Sequence, residues 1–282
     1  MLPLHKIIWH EWREKNQPVR VPEPSEAMED VEQIRSYVKA YEWGGPTSAL
    51  QLHHLRELSS LIRPGDTVLD LACGPGPLLL ELAPLYPDCK FIGVDLSQPM
   101  LAVLREQANA RGLRNVEILY EDIRTLPSLR GRQVDLVITT SALHHLPDLD
   151  SLRMTFQRIE SLLTHDGGFY IFDFGLLRSA HTQKLMVAEV AKLAPPITAK
   201  DYEMSLKAAF PLGDVLNLAR EQLSRPFRAQ RSSFVEFFYF LQTRPRTETP
   251  ASVANYIASV RTKLSPAMKL EHLMLRTMRR HC

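Results

Sequence analysis

Cysteine, long apolar runs and low-complexity segments are scarce or missing in this sequence of 282 residues. Its three cysteines, Cys73, Cys89 and Cys282, form neither a metal-like pair nor an even disulfide framework, which favours a reducing compartment. No stretch approaches the roughly 20 apolar residues of a membrane span. The start, MLPLHKIIWHEWREK, lacks the continuous apolar region and the cleavage site of a signal peptide. We therefore expect a soluble, cytoplasmic protein without a membrane partner and without a metal site.

Strong net charge is missing as well, because the chain carries only +2 at neutral pH. The distribution is uneven, since residues 244–282 contain eight Lys or Arg and two Glu. We call this segment the basic tail. The overall charge therefore suggests no polyanionic partner, whereas the basic tail alone could attract one.

What the sequence does contain is an alternation of short β-rich apolar runs with helical stretches between residues 67 and 174. This pattern is typical of βαβ units around a parallel sheet. The predicted strands are 67–72, 90–96, 116–122, 134–140 and 168–174. The predicted helices between them are 78–86, 98–111 and 149–163. Ligands of such sheets bind outside the carboxyl ends of the strands.

The flanking segments predict additions to this unit. Amphipathic spacing predicts helices at 27–41 and 47–62. After the fifth strand, residues 176–225 form a helical insertion of three pieces, longer than an ordinary crossover needs. Two further strands, 226–233 and 235–243, predict a hairpin, and two helices divided at Pro266 follow. We therefore expect an N-terminal cap (1–45), a ligand-binding domain (46–243) and a helical extension (244–282).

The stretch VLDLACGPGP (68–77) joins the first predicted strand to a helix. Asp70 lies near the carboxyl edge of the strand, and Gly74 and Gly76 let a ligand approach the backbone closely. A dinucleotide pyrophosphate is one candidate for this turn. It is weakened because Leu79 replaces the third glycine and Pro77 removes an amide donor.

Acids at the ends of the next two strands indicate a nucleoside instead. Asp95 closes the second strand, where a carboxylate accepts hydrogen bonds from ribose hydroxyls. Glu121 and Asp122 close the third strand, where an acid and the Ile123 amide are placed to address an adenine. Leu96 and Met100 supply apolar faces for the flat ring.

Four motifs together, DLACGPGP, GVDLSQPML, YEDIRTLP and VITTSALHHLPD, resemble those of class I S-adenosylmethionine-dependent methyltransferases. The resemblance covers about 67–174 and extends to 243 with the final hairpin. It implies a Rossmann-like α/β fold with a seven-stranded, mostly parallel sheet. It also implies S-adenosylmethionine as the cofactor and S-adenosylhomocysteine as the product.

The resemblance assigns roles to this chain's residues. The segment from Asp70 to Gly76, including Ala72 and Cys73, would wrap the methionine and the ribose. Asp95 would bind the ribose, and Asp122 with Ile123 would bind the adenine. Segment 139–145, beginning with Thr139, would lie beside the methionine and the acceptor. Ala72 stands where glycine is usual, and Pro75 and Pro77 stiffen the turn.

Candidate catalytic residues follow the fourth and fifth strands. His144, His145 and Asp173 are candidate general bases, and the alternative is that LHHLPD is a structural loop. Tyr170 is a candidate aromatic face for the sulfonium, although its alternation with Phe172 and Phe174 favours the core.

Aromatic residues also crowd the N-terminal region. By the resemblance, Tyr37 or Tyr41 would gate the cofactor from a folded cap. Ordinary packing against the 47–62 helix is the alternative.

Three functions remain open from the sequence. The first is methyl transfer to a small molecule enclosed by the insertion, the cap and the tail. The second is a tRNA or rRNA methyltransferase that docks through the basic tail, whose apolar positions instead favour helices packed on the body. The third is an S-adenosylmethionine lyase or cyclase of the azetidine-carboxylate-forming type. The oligomeric state does not follow from the sequence.

Overall fold

The computed structural model describes residues 4–192 and 194–282. Within that part of the chain, eight strands form one sheet and 11 α-helices surround it. The strands are β1 (Thr67–Leu71), β2 (Lys90–Asp95), β3 (Val116–Tyr120), β4 (Val134–Thr140), β5 (Leu163–Phe174), β6 (Phe227–Ser232), β7 (Phe238–Thr243) and β8 (Arg279–His281). The helices are α1 (Leu4–Arg13), α2 (Val31–Ala40), α3 (Ser48–Leu58), α4 (Pro77–Leu85), α5 (Gln98–Ala110), α6 (Leu149–Leu162), α7 (Ala180–Val190), α8 (Pro196–Ala208), α9 (Leu212–Gln222), α10 (Ala251–Lys263) and α11 (Pro266–Thr277).

The sheet has the order β3-β2-β1-β4-β5-β7-β6-β8. Strands β1 to β5 are parallel, and β7 pairs antiparallel with both β5 and β6. The predicted parallel unit and the hairpin are thereby confirmed. The prediction of seven strands is wrong by one, because β8 pairs with the free edge of β6. A three-residue strand of Arg and His carries no apolar alternation, so the sequence pattern does not reveal it.

Apolar side chains cover both faces of the sheet. One cluster joins α3, α4, α5 and α10 to one face, and a second joins α6 and α9 to the other. Alternation along β5 follows this division, since Tyr170 and Phe172 belong to the first cluster and Phe169 and Ile171 to the second. With both faces covered, a ligand reaches the parallel strands only at their ends.

Side-chain caps fix where the helices next to the strand ends begin. Ser97 Oγ accepts from the Met100 N–H at the start of α5. Asp148 accepts from the Ser151 N–H at the start of α6, and Ser179 accepts from the Thr182 N–H at the start of α7. Each cap satisfies an amide that the helix itself leaves unpaired, which holds the preceding loop in place.

The N-terminal region packs on helices next to the carboxyl ends of the parallel strands. Helix α1 packs on α7, and α2 packs on α5 and α8. Residues 14–30 between them have no regular structure, and we call them the strap. Trp9 and Trp12 are 49% and 83% exposed, and neither lines the cleft described below. Residues 1–3 of that cap lie outside the described residues.

The insertion and the tail form as predicted helices, with one correction. The three pieces of the insertion are α7, α8 and α9, and residue 193 of the insertion lies outside the described residues. In the tail, Val260 and Leu264 are buried. Leu270 and Leu273 are instead about half exposed, so the predicted packing of every apolar tail position is wrong for these two. None of the described helices combines the length and the apolar composition that crossing a bilayer requires.

Candidate functional site

A cleft opens at the carboxyl ends of β1, β2, β3 and β4, beneath α2 and the strap. It contains about 710 Å³ of space, including its open mouth. Its lining residues are Glu26, Met28, Tyr37, Ala72, Gly74, Asp95, Leu96, Met100, Asp122, Ile123, Ser141, Ala142, His145 and Leu146. Nine of the residues predicted from the sequence therefore meet in one cleft: Tyr37, Ala72, Gly74, Asp95, Leu96, Met100, Asp122, Ile123 and His145.

The turn after β1 presents backbone to this cleft. Ala72 and Gly74 have φ values of 53° and 55°, a left-handed conformation that is costly for a residue with a side chain. A Cβ added to Gly74 would lie 3.3 Å from Met100 Sδ, at the wall of the cleft. Gly76 has a different task, because a Cβ there would lie 2.3 Å from Leu104 Cδ1 in the core. Gly76 therefore serves helix packing and does not line the cleft.

Asp95 is the buried acid of the cleft. Its carboxylate accepts from the Gly74 N–H and the Ser97 N–H, each at 2.7 Å. Burial raises the pKa of Asp95, and these two amides oppose that shift. Asp70 lies behind it, 3% exposed and outside the cleft lining. Burial and then the charge of Asp95 raise the pKa of Asp70 well above its usual range.

The acids after β3 have separate partners. Burial acts to raise the pKa of Asp122, but hydrogen bonds from Arg124 outweigh it and lower that pKa. Arg124 also pairs with Glu26 of the strap at 3.0 Å. Glu121 turns away, since its carboxylate accepts from the backbone N–H and the hydroxyl of Ser128. Of the two acids predicted to lie near the adenine, only Asp122 lines the cleft.

Two tyrosines of the α2 region lie at the cleft. The rings of Tyr37 and Tyr41 stack with centroids 4.7 Å apart. Burial raises the pKa of Tyr37, with further contributions from Tyr41, Asp95 and Asp70. The Tyr41 hydroxyl is hydrogen-bonded to Ser141, and Tyr41 lines a neighbouring hollow outside the cleft. Tyr37 therefore lines the cleft, whereas Tyr41 lies beside it.

Three predicted site residues lie away from the cleft. Cys73 is buried, and its Sγ packs against Gly93: a Cβ added to that glycine would lie only 2.9 Å from the sulfur. Thr139 is fully buried, and its hydroxyl has no partner among residues 4–192 and 194–282. The Tyr170 hydroxyl is 2.8 Å from His54 Nδ1 beneath α3, so Tyr170 is a core residue and not a catalytic one. All three side chains are buried and do not line the cleft.

The histidine pair after β4 is held by acids. Asp173 is fully buried, and its carboxylate accepts from the His144 N–H at 2.9 Å and lies 2.7 Å from His144 Nδ1. His145 lines the cleft, and its Nδ1 lies 3.0 Å from Glu23 Oε2. Burial acts to lower the pKa of His145, but the hydrogen bond and the charge of Glu23 outweigh it and raise that pKa. Asp173 thus orients His144, while His145 faces the space where a ligand would lie.

The strap supplies residues that the sequence reasoning missed. Arg20 donates to the carbonyl oxygens of His144, Leu146, Pro147 and Ala208, and its guanidinium lies 3.8 Å from the centroid of the Phe210 ring. Glu23, three residues later, lies beside both histidines. These residues lie outside any periodic segment, so only the folded chain brings them to the site.

Ser141 also lines the cleft, although its sequence position alone gives it no specific role. It has φ 53°, and its N–H donates to the Phe172 carbonyl at 2.9 Å. Ser141 and Ala72 therefore place left-handed backbone at the ends of both β4 and β1. Such strain persists where surrounding structure enforces it, often at functional sites.

Comparison with known proteins agrees with this geometry. The family model described as "Methyltransferase domain" matches residues 62–218. The plantazolicin methyltransferase BpumL, solved in complex with SAH, superposes with a TM-score of 0.58 at 12% identity, covering 83% of this chain and 86% of that one. At this identity the superposition shows a shared fold.

Curated relatives match shorter segments. An (S)-tetrahydroprotoberberine N-methyltransferase of Eschscholzia californica is 24% identical over 119 residues, 42% of this chain and 33% of the relative. The U6 snRNA (guanine-N(2))-methyltransferase THUMPD2 of Homo sapiens is 30% identical over 142 residues, 50% of this chain and 27% of the relative. The matches thus span about a third or less of these relatives' own lengths.

Proposed function

Because this chain belongs to the class I S-adenosylmethionine-dependent methyltransferases, we propose that it transfers the sulfonium methyl group to a small-molecule acceptor. The observation that carries the proposal is the cleft itself. It gathers Asp95, Asp122 and the Gly74 backbone at adjacent strand ends, in the order in which a nucleoside would meet them.

The residues of the cleft fit this cofactor. Each carboxylate oxygen of Asp95 accepts from one backbone amide, which leaves further lone pairs for the vicinal ribose hydroxyls. Ile123 and Met100 offer apolar surface for the adenine, and Asp122 lies beside them. The left-handed backbone at Ala72 and Gly74 leaves room for the methionine part.

The bound cofactor supplies a methyl group that is already activated by the positive sulfur. The chain's task is to align an acceptor lone pair behind that carbon and to exclude water. Positioning of this kind supplies roughly 7–11 kcal/mol of the barrier reduction. His145 faces the cleft beside Ser141 and is the candidate to accept a proton when the acceptor must lose one.

Closure over the cleft supports an acceptor of modest size. The strap is fastened by Arg20 to the β4 turn and to the end of α8, and Glu26 bridges to Arg124. Tyr37 of α2 also lines the cleft, close enough for Asp95 and Asp70 to raise its pKa after burial. A segment fastened at several points has to open for exchange and would enclose what it covers.

A product analysis tests this proposal. The full chain is incubated with methyl-labelled S-adenosylmethionine and a small-molecule extract, and the products are identified by mass spectrometry. We expect S-adenosylhomocysteine together with a labelled small molecule. Methylthioadenosine formed without any acceptor would instead identify the lyase or cyclase chemistry and refute methyl transfer.

Methylation of RNA is a second candidate, favoured by a cluster of basic side chains. Burial and then the charges of Arg56 and Arg261 lower the pKa of Arg276, so like charges from α3, α10 and α11 lie near one another. Arg279, in contrast, pairs with Glu57 at 3.1 Å and is not free for phosphates. The unaltered chain and the double variant Arg56→Gln, Arg276→Gln are compared on a polyanion column. Retention of the unaltered chain that the double variant loses would favour this candidate, whereas elution of the unaltered chain at low salt would exclude it.

A further inference from the structure

Glu23, His144 and His145 bring three metal-ligating side chains together beside the cleft. Glu23 comes from the strap, and the histidines come from the turn after β4. One donor atom of each lies within 4.8 Å of the others. The carboxylate of Glu23 and the ring of His144 are largely buried, with side chains 10% and 3% exposed. A buried group of this kind differs from a solvated acidic patch.

The hydrogen bonds around His144 leave an unsatisfied pairing. Asp173 Oδ1, 2.7 Å away, holds the proton on Nδ1, so the lone pair of Nε2 points away from it. On that side lies Glu23 Oε1, at 4.0 Å. No hydrogen bond to Nε2 is present among the described residues, and a cation between this nitrogen and the Glu23 carboxylate would be bound by both.

The outer partners match those of metal-binding residues. Ligating histidines commonly donate their second N–H to a carboxylate, which is the relation between His144 and Asp173. The Glu23 carboxylate is likewise held by the Ser205 hydroxyl at 3.0 Å. Two of the three proposed ligands, His144 and Glu23, therefore have an outer partner that fixes their orientation.

Local charge also favours a cation. Glu23 and Asp173 bring two negative charges, and Asp95 adds a third on the cleft side. The charge of Arg20 acts on Glu23 and Asp173 and offsets one of these three negative charges, although its N–H groups donate to backbone carbonyls. Neutral imidazoles with a carboxylate are ligands that zinc and similar ions prefer.

We propose that Glu23, His144 and His145 bind one divalent transition-metal ion of the zinc class, with an open coordination position facing the cleft. In a tetrahedral zinc site, ligand atoms lie about 3.3 Å apart. With one donor atom from each residue, the separations reach up to 4.8 Å, so the three side chains have to move closer together when the ion binds.

The open position follows from the placement of His145 in the cleft wall. Three protein ligands leave a fourth position for water or for an acceptor atom. If the proposed methyl transfer is correct, an acceptor hydroxyl bound there would release its proton to water, and the ion would replace imidazole as the activating group. Metal binding itself does not depend on that function.

Titration with Co²⁺ tests the site. The full chain, freed of any affinity tag and treated with a chelator, is titrated while the visible d–d absorption is recorded. We expect one equivalent to bind with the spectrum of a tetrahedral nitrogen and oxygen site. Glu23→Gln and His145→Gln should weaken binding more than tenfold, and Asp173→Asn, which acts by positioning His144, should weaken it about 10- to 100-fold.

His165→Gln is the matched control, because His165 also lies beside an acid, Asp166 at 2.9 Å, but is fully exposed. It should bind Co²⁺ as the unaltered chain does. The inference is overturned if the unaltered chain takes up no equivalent, or if Glu23→Gln and His145→Gln bind as tightly. Calorimetry with S-adenosylmethionine on the same samples separates this outcome from failure of the proposed function, since each ligand is measured alone.

Discussion

Replacing Arg20 with Ala should destabilise the protein by about 3 kcal/mol. The guanidinium donates to four carbonyl oxygens at distances from 2.5 to 2.9 Å. A hydrogen bond from a charged donor contributes about 1.5 kcal/mol at the lower end, so four contribute about 6 kcal/mol. The side chain is only half-buried, and water replaces roughly half of this contribution when it is removed.

Urea unfolding followed by circular dichroism measures this loss. Arg13→Ala is the matched control, because Arg13 also lies over an aromatic ring, with Cζ 4.6 Å from the Trp9 centroid, but on an exposed surface. It should cost less than about 1 kcal/mol. Arg20→Lys should recover little, since an ammonium group cannot reach four carbonyls in one fork.

The strap interpretation is refuted if Arg20→Ala and Arg13→Ala unfold at the same urea concentration. It is also refuted if Arg20→Lys is as stable as the unaltered chain, because a single charge would then suffice. The comparison requires that the unfolding free energy depend on urea concentration with the same slope in every variant. A changed slope would indicate an altered unfolded or native state.

Three further predictions concern the cleft, the glycine turn and pH. Asp95→Asn should raise the Kd for S-adenosylhomocysteine at least tenfold in calorimetry, because charged hydrogen bonds to ribose are lost, while Asp88→Asn at the opposite end of β2 should leave it unchanged. Gly76→Ala should lower the free energy of unfolding in urea by at least about 1 kcal/mol more than Gly131→Ala does. Both glycines have positive φ, but only a Cβ at Gly76 would press on Leu104. Equal losses of stability would contradict the packing role of Gly76. Burial lowers the pKa of His54 to about 3, so the unfolded chain takes up a proton below pH 6.5 that the folded chain does not. Between pH 7 and pH 5 this histidine should cost about 2 kcal/mol, and His54→Gln should remove that part of the acid sensitivity; a variant with undiminished acid sensitivity would be the contrary result.

The parallel unit and the acids at its strand ends followed from sequence because both have a local signal. Buried strands are continuous apolar runs, and the residue that ends a strand is read directly from the chain. Asp95, Ile123 and Gly74 therefore fell in the cleft as predicted. Glu121 did not, since adjacent residues of an extended chain point to opposite sides.

The parts that sequence reasoning missed depend on contacts between distant segments. Arg20 and Glu23 lie in an irregular strap whose position is fixed by carbonyls and histidines more than 120 residues later. No periodicity marks such residues. Tyr170 is a strand residue that the sequence places near the site. In the structure its side chain points to the face covered by α3 and is part of the core.

Calorimetric titration of the full chain with S-adenosylmethionine and with S-adenosylhomocysteine tests the central claim most directly. The account predicts that one equivalent of each binds to the cleft at the ends of β1, β2 and β3, and that the two compete. Absence of binding heat together with an unchanged melting temperature, for both compounds, would contradict it.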